Sequence, residues 1–178
     1  MSFRVKSIFV YLCFLLLLFI NSKGYCQNTT PHKFHSKEKV GAIAFNANID
    51  DSTFYLCDDM NIMEYYQVNP KYGEGGKSIR QYFKHYLNDI NNLIDFDSGL
   101  ITIRFIINCK GKTDRFRIYS VNQDYKTIHI SDNLKLSCIS AVKNMGEWQP
   151  GYYENEYFDC YYTLSLKIRN EEVVDVLP

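Results

Sequence analysis

The chain has 178 residues, with 20 Lys and Arg against 20 Asp and Glu, and 46% of its residues are hydrophobic. This composition is typical of a globular protein and argues against a collagen-like rod, a disordered chain and a polytopic membrane protein. Because nucleic-acid binding depends mainly on neutralising phosphates, the balanced charge disfavours that function. The aromatic content of 16% can fill a core and still supply a contact surface.

Residues 1–26 have the pattern of a secretory signal peptide. Arg4 and Lys6 precede an apolar run from Ile8 to Ile20, which is shorter than the roughly 20 residues of a membrane-spanning helix. Small residues allow cleavage after Gly24 or after Cys26, and we favour the cut between Cys26 and Gln27. Lipidation of Cys26 and an uncleaved anchor are the alternatives. We therefore expect an exported protein that keeps four of its six cysteines, a number compatible with disulfides.

Residues 27–72 are predicted to form a leader followed by an irregular segment. The part before Val40 is polar and follows neither the helical nor the strand period, so we expect a flexible leader. From Val40 to Val68, short apolar runs fit a helix and a strand equally well. The glycines from Gly73 to Gly76 then mark the clearest break in the chain.

Two helices and three strands are predicted after this break. An apolar stripe at helical spacing begins after Lys77 and comprises Ile79, Tyr82, Phe83, Tyr86, Leu87 and Ile90. Residues 101–107 and 114–121 alternate in polarity and read as a β-hairpin. Ser131 is a good N-cap for a second helix that stops at Gly146. Residues 158–168 alternate without a miss, so the fold class is α+β, an antiparallel sheet with helices on one side.

The order helix, strand, strand, helix, strand carries four short motifs. The hairpin motif runs from Ile103 to Gly111 and the last strand from Tyr162 to Ile168. The motif positions are Gly75, Gly76, Gly111, Trp148, Pro150 and Gly151. Together these motifs resemble the TonB C-terminal domain, and the resemblance covers roughly residues 73–169. It implies a two-layer domain at 73–170, in which two helices pack on a three-stranded antiparallel sheet, followed by a tail at 171–178.

The resemblance also implies a binding surface. With the family's strand order, the last strand lies at the sheet edge, where unpaired backbone groups accept an extended peptide. The residues expected there are Tyr161, Thr163, Ser165, Lys167 and Arg169. The alternative is that the charges of Lys167 and Arg169 protect this edge against aggregation.

Two departures from the family bear on function. A transducer of this family has a membrane-spanning N-terminal helix and a long Pro-rich spacer, whereas this chain has a cleavable signal and only 4 Pro. Ser165 also stands where the family usually has Pro. We therefore expect a stand-alone binding module rather than a complete energy transducer.

The cysteines suggest one disulfide. Cys109 ends one predicted strand and Cys160 begins another, both on the apolar face. If these strands are antiparallel neighbours, the two residues lie close together, so a Cys109–Cys160 disulfide is predicted. Cys138 lies on the apolar face of the second helix and is expected to be a small buried apolar group. Because no C-x-x-C spacing occurs, a thiol-dependent enzyme ranks third among the functions considered.

No cofactor, nucleotide or metal is predicted. Gly76, Lys77 and Ser78 imitate the end of a phosphate-binding loop, but Lys71 stands where that motif needs its first glycine. His32 and His35 have a metal-like spacing without a nearby Cys or acidic partner.

The expected function is therefore non-catalytic. We predict a protein-binding module in the periplasm or associated with the outer membrane, with no transmembrane span in the mature chain. Its partner would be an envelope or outer-membrane protein, and the resemblance implies a link to TonB-dependent transport. The alternative is a structural or assembly role, in which the chain forms a homodimer or a fixed envelope complex.

Overall fold

The computed structural model describes residues 41–146 and 148–178. The predicted signal peptide and leader lie outside the described residues. The elements in chain order are β1 (Met63–Glu64), α1 (Tyr65–Val68), α2 (Gly76–Phe83), α3 (Leu87–Asn91), β2 (Gly99–Ile107), β3 (Thr113–Asn122), α4 (Asp132–Lys143), β4 (Gly151–Tyr153), β5 (Glu156–Phe158), β6 (Cys160–Arg169) and β7 (Glu172–Leu177). The predicted α+β class is confirmed. None of the helices in the described part of the chain is long and apolar enough to cross a membrane.

The main sheet has five strands and is organised around β6. One side of β6 pairs antiparallel with β2 along its whole length, and β2 pairs antiparallel with β3. The other side of β6 is shared by β1, which is parallel to it, and β7, which is antiparallel to it. The sheet is therefore wider than the three strands expected from the sequence.

The strand β7 lies where the sequence predicted a tail. It folds back on β6 through Asn170 and Glu171, which both have positive φ angles of 51° and 64°. Two residues in this conformation form the tight turn that suits a β-hairpin, and glycine is the usual signal for it. Because neither residue is glycine, the turn was missed.

The helices cover one face of the sheet. Ile101, Ile103 and Phe105 of β2 are fully buried there, against Phe83 of α2 and Leu134 of α4. Burial of such side chains stabilises the fold by about 1.5 to 3 kcal/mol each.

The helical stripe predicted after Lys77 is divided between α2 and α3. Two hydrogen bonds that each reach back three residues, from His85 N–H to Tyr82 O and from Tyr86 N–H to Phe83 O, tighten the chain between the two helices. The stripe still reaches the core, because Ile90 of α3 is fully buried. The predicted N-cap of α4 is confirmed, since Ser131 Oγ accepts a hydrogen bond from Leu134 N–H.

Residues 41–62, which we call the N-terminal cover, lie on the opposite face of the sheet. Ile43 and Ile62 pack there against Ile106 and Tyr161 in a second buried cluster. Tyr161 is only 3% exposed, so the expectation that it lies on a solvent face is wrong. The alternating pattern identified the two faces of β6 but did not show that this chain covers part of the second face itself.

Two of the predicted motifs meet in space. The backbone N–H of Trp148 donates a hydrogen bond to the carbonyl oxygen of Gly111. The centroid of the Trp148 ring lies 4.7 Å from the centroid of the Tyr162 ring. Trp148 is 3% exposed and closes one end of the core. Gly111 has a φ of 76°, and a Cβ atom at this position would overlap the Trp148 carbonyl oxygen. Both its conformation and its surroundings therefore require glycine.

We predict that Gly111→Ala destabilises the protein more than Gly146→Ala does. Gly146 has a similar φ of 82° but no atom near the position of an added Cβ, so it isolates the backbone strain of about 1 to 2 kcal/mol. The overlap at Gly111 should add about 1 to 3 kcal/mol. Unfolding in urea measures both free energies. Equal losses would show that the chain around Trp148 relaxes to accept the methyl group.

Candidate interaction surface

The predicted edge strand β6 lies inside the sheet. Its second side pairs with β1 at Cys160 and Tyr161 and with β7 from Ser165 to Arg169. The prediction that the last strand forms the sheet edge is therefore wrong. An extended peptide cannot add along this strand while β1 and β7 occupy its side, since the ladder groups are already used.

The predicted binding residues on β6 are separated by the fold. Tyr161 is buried beneath the N-terminal cover, and Thr163 and Ser165 are half-buried, with Ser165 Oγ bonded to the hydroxyl of Thr102. Lys167 and Arg169 line an open groove of about 530 Å³ at the far end of the sheet.

The groove at the end of the sheet has mixed charge. Tyr125 and Leu100 line it together with the two cations. Lys167 is paired in register with Asp175, and Arg169 with Glu172. Because Asp175 and Glu172 lie opposite the two cations, their negative charges disfavour the binding of an anion in this groove.

The outer edge of β7 is capped by side chains of the helices. Val173 N–H donates to Asn91 Oδ1 at 3.0 Å, and Asp175 Oδ1 accepts from Arg80 Nε at 2.9 Å. The same oxygen, Asp175 Oδ1, also accepts a hydrogen bond from the backbone N–H of Val176. Such side-chain capping protects an edge strand against pairing with another chain.

The strand β3 forms the other edge of the sheet, and its backbone groups alternate between two directions. Ser120 O accepts from Ile128 N–H, and Asn122 N–H donates to Lys126 O, so these residues point their backbone groups away from β2. With the period of two, Ile118 points its N–H and C=O in the same direction. In the described part of the chain, the N–H and C=O groups of Ile118 and the N–H group of Ser120 have no hydrogen-bond partner.

The free segment of β3 is bounded on both sides. Toward one end, Arg117 Nη1 donates to Phe116 O at 2.8 Å, which occupies that outward carbonyl. Toward the other end, residues 126–128 turn back along the strand, and Ser120 Oγ donates to Ile128 O. We call the short stretch from Ile118 to Ser120 the β3 edge.

Arg117 fixes the N-terminal cover beside the β3 edge. Its guanidinium binds both carboxylate oxygens of Asp50, at 2.7 and 2.8 Å, and donates to Ala44 O. The Asp50 side chain is 1% exposed, and its hydrogen bond with Arg117 lowers its pKa below the ordinary value of 3.8. A shallow cavity of about 470 Å³ between residues 42–47 and Tyr119 leaves the Tyr119 ring accessible.

A second buried carboxylate lies in the same region. Asp114 Oδ2 accepts from Asp51 N–H at 3.0 Å, which links the cover to the start of β3. Burial raises the pKa of Asp114, and the negative charge of Asp50 acts in the same direction. The two carboxylates therefore respond to pH with opposite signs.

The described residues contain a different disulfide from the one predicted. Cys109 is bonded to Cys57 of the cover, with the two Cα atoms 6.1 Å apart, so the prediction of a Cys109–Cys160 bond is wrong. Cys160 is a free cysteine buried in the helix-side core. Strand parity alone could not identify Cys57, because it belongs to an irregular segment.

Asp159 supports this disulfide. Its two carboxylate oxygens accept from Cys109 N–H and Asp58 N–H, both at 2.8 Å. Cys57, Cys109 and Asp159 form the one cluster of metal-type ligands among residues 41–146 and 148–178. Because its two sulfurs are bonded to each other and the carboxylate binds amides, this cluster fits a structural role better than a metal site.

The two free cysteines in the described part of the chain, Cys138 and Cys160, are buried. Burial raises the pKa of both Cys138 and Cys160 to about 12. Nucleophilic or redox chemistry requires an accessible thiolate, which neither environment favours.

Three of the motif glycines, Gly76, Gly111 and Gly151, lie in close packing, whereas no atom lies near the position of a Cβ added at Gly75. Gly151 touches Val68 of α1, and Gly76 lies against Pro178. Gly75 has a φ of 85° and precedes α2, and Pro150 is half-buried before β4.

No protein-family model matches the chain, and no significant match was found among curated proteins or solved structures. The resemblance to the TonB C-terminal domain therefore stays a prediction.

We predict that Asp50→Asn lowers stability in a pH-dependent way. At neutral pH the loss should be about 2 to 3 kcal/mol, because Arg117 keeps its charge and loses its partner. The folded pKa of Asp50 lies below 3.8, so its contribution is complete above that value and is lost as the pH falls through the folded pKa. The difference from wild type should therefore be constant from pH 7 to pH 5 and shrink below pH 4.

Urea titrations at several pH values measure this difference. Asp114 has the opposite pH response and is present in both proteins, so its direct contribution largely cancels. Asp132→Asn is the matched control, because Asp132 makes an exposed ion pair with Lys135 and should show little change. A pH-independent loss at Asp50 would contradict the ion pair as its cause.

Proposed function

We propose that this protein is a non-catalytic protein-binding module of the cell envelope, acting in the periplasm or at the outer membrane. We further propose that it binds by adding an extended segment of its partner to the β3 edge. The observation that supports this function most directly is the pair of unpaired backbone groups of Ile118 next to the exposed ring of Tyr119. An added strand would satisfy those groups, and its side chains would contact that ring.

Two observations favour an envelope location. The predicted signal peptide implies export, and the Cys57–Cys109 disulfide is typical of proteins in oxidising compartments. An envelope or outer-membrane protein is therefore the proposed partner, and a link to TonB-dependent transport follows from the resemblance.

The finer fold proposed here is TonB C-terminal-like. Its central part would be β3, β2 and β6, with α2 and α4 on one face, and β1, β7 and the cover would be additions. Of these additions, β1 and β7 occupy the side of β6 that the family resemblance would leave free. The binding edge would then move across the sheet from β6 to β3.

Site-specific photo-crosslinking tests this proposal in cells. A photoreactive residue at Tyr119 should trap the partner, whereas the same residue at Val174, which is 52% exposed on the opposite edge of the sheet, should not. Mass spectrometry of the product then identifies the bound segment. Equal trapping at both positions would contradict a β3-specific site.

A peptide with the trapped sequence allows a direct test of strand addition. Hydrogen exchange of the Ile118 and Ser120 amides should slow by about tenfold or more when the peptide binds. Ile118→Pro removes an outward donor without removing a hydrogen bond to β2, so it should abolish binding. If this variant does not fold, amide exchange in the wild-type protein still decides the question.

The same experiment distinguishes the assembly alternative. A free edge can pair with its own copy, and crosslinks from Tyr119 to a second molecule of this chain would then dominate. Concentration-dependent mass without added ligand would support a homodimer in place of a module for a foreign segment.

A further inference from the structure

The hairpin formed by β4 and β5 lies outside the main sheet. In the described part of the chain these strands pair with each other alone, and every residue from Tyr152 to Tyr157 is exposed. Two-stranded hairpins are marginally stable in water, so the base of this one needs support. Gly151 supplies it by packing directly on Val68, and Phe158 is half-buried against the core.

The tip of this hairpin holds its tyrosines in defined positions. Tyr152 and Tyr157 are directly opposite each other on the two strands, with ring centroids 5.1 Å apart. The Tyr152 hydroxyl donates to Asn155 Oδ1, and a hydrogen bond with Glu154 raises the pKa of Tyr153. The rings are therefore positioned by local contacts although solvent surrounds them.

Helix α1 brings two more tyrosines to the same end of the molecule. Val68 of α1 contacts β4, and Tyr65 and Tyr66 on that helix are exposed, with ring centroids 5.5 Å apart. We call the exposed rings of α1 and the β4–β5 hairpin the tyrosine surface, which comprises Tyr65, Tyr66, Tyr152, Tyr153 and Tyr157. Clustered exposed tyrosines are typical of contact surfaces, because each ring combines apolar area with a polar end.

The charge of the tyrosine surface selects its partner. Residues 151–158 include Glu154 and Glu156, both exposed, and no Lys or Arg. The faces of tyrosine rings are electron-rich and attract cations, and the two carboxylates add to this attraction. Lys71 forms a bridge to Gln149 near the hairpin base, and Arg104, next to α1, is already paired with Glu64.

The same chemistry already occurs within this protein. Arg104 lies over the Tyr161 ring at 4.7 Å, and Lys110 lies over the Tyr55 ring at 5.2 Å. Those two rings already contact cations of this chain, whereas no described cation covers a ring of the tyrosine surface.

We propose that the tyrosine surface is a second interaction site, separate from the β3 edge, that binds a Lys- and Arg-bearing segment of another protein. The cationic side chains would lie over the tyrosine rings and pair with Glu154 and Glu156. This site does not depend on strand addition, so it stands or fails independently of the function proposed above.

A pair of peptides tests the cation requirement. The first is an eight-residue peptide that alternates serine with trimethyl-lysine, and the second carries a neutral tert-butyl isostere in place of each trimethyl-lysine. The purified full-length chain should bind the cationic peptide about fivefold or more tightly, since each exposed cation–π contact contributes about twofold to fivefold. Equal affinities would overturn the proposal.

Variants of the hairpin localise the contact. Tyr152→Leu combined with Tyr157→Leu should weaken binding of the cationic peptide by about fivefold or more, and the corresponding Phe variants should keep most of the affinity. Tyr125→Leu is the matched control, because Tyr125 is 82% exposed and lies near the opposite end of β6. An equal loss of affinity in the Tyr125→Leu control would show that the cationic peptide binds exposed tyrosines anywhere on the protein, which would contradict a site at the hairpin.

Two further outcomes decide against the proposal. Unchanged affinity in the double leucine variant would remove the rings from the site. Tighter binding of a neutral N-acetylglucosamine oligosaccharide than of the cationic peptide would make this a glycan-binding surface instead.

Discussion

The fold depends on pairing β6 along both of its sides. The strand pairs with β2 on one side, and the other side is divided between β1, 97 positions earlier in register, and β7, which follows directly after a two-residue turn. This arrangement places inside the sheet a strand whose helix-side residues are all buried, so few of its backbone groups meet water. It also leaves β3 as the strand whose outer edge is incompletely paired.

The N-terminal cover depends on buried carboxylates as much as on apolar contact. Asp50 binds Arg117, Asp114 accepts from Asp51 N–H, and Asp159 accepts from two amides on either side of the disulfide. A buried acid without a partner would destabilise the fold, so these contacts fix the path of the cover over the sheet. The same path shields part of the second face and brings the cover to the border of the β3 edge.

The two proposed surfaces use different physical means of recognition. The β3 edge offers backbone groups, which any extended segment can satisfy, and its selectivity would come from neighbours such as Tyr119. The tyrosine surface offers ring faces and carboxylates, which discriminate by charge. The β4–β5 hairpin directly precedes β6, and the β3 edge lies two strands away from β6 in the sheet. The two proposed surfaces are therefore separate, and one module can contact two parts of a partner.

Local patterns in the sequence determined much of the architecture. Alternation predicted β2, β3 and β6, the N-cap at Ser131 predicted the start of α4, and the motif residues Gly111 and Trp148 proved to be in contact. Only the tertiary structure decided which strand forms the edge, which cysteine pairs with Cys109 and what covers Tyr161. Those outcomes depend on contacts between distant positions, such as the disulfide across 52 residues and the Asp58–Asp159 hydrogen bond across 101 residues. Periodicity records which face of an element is apolar, but the partner of that face is chosen by packing of the whole chain.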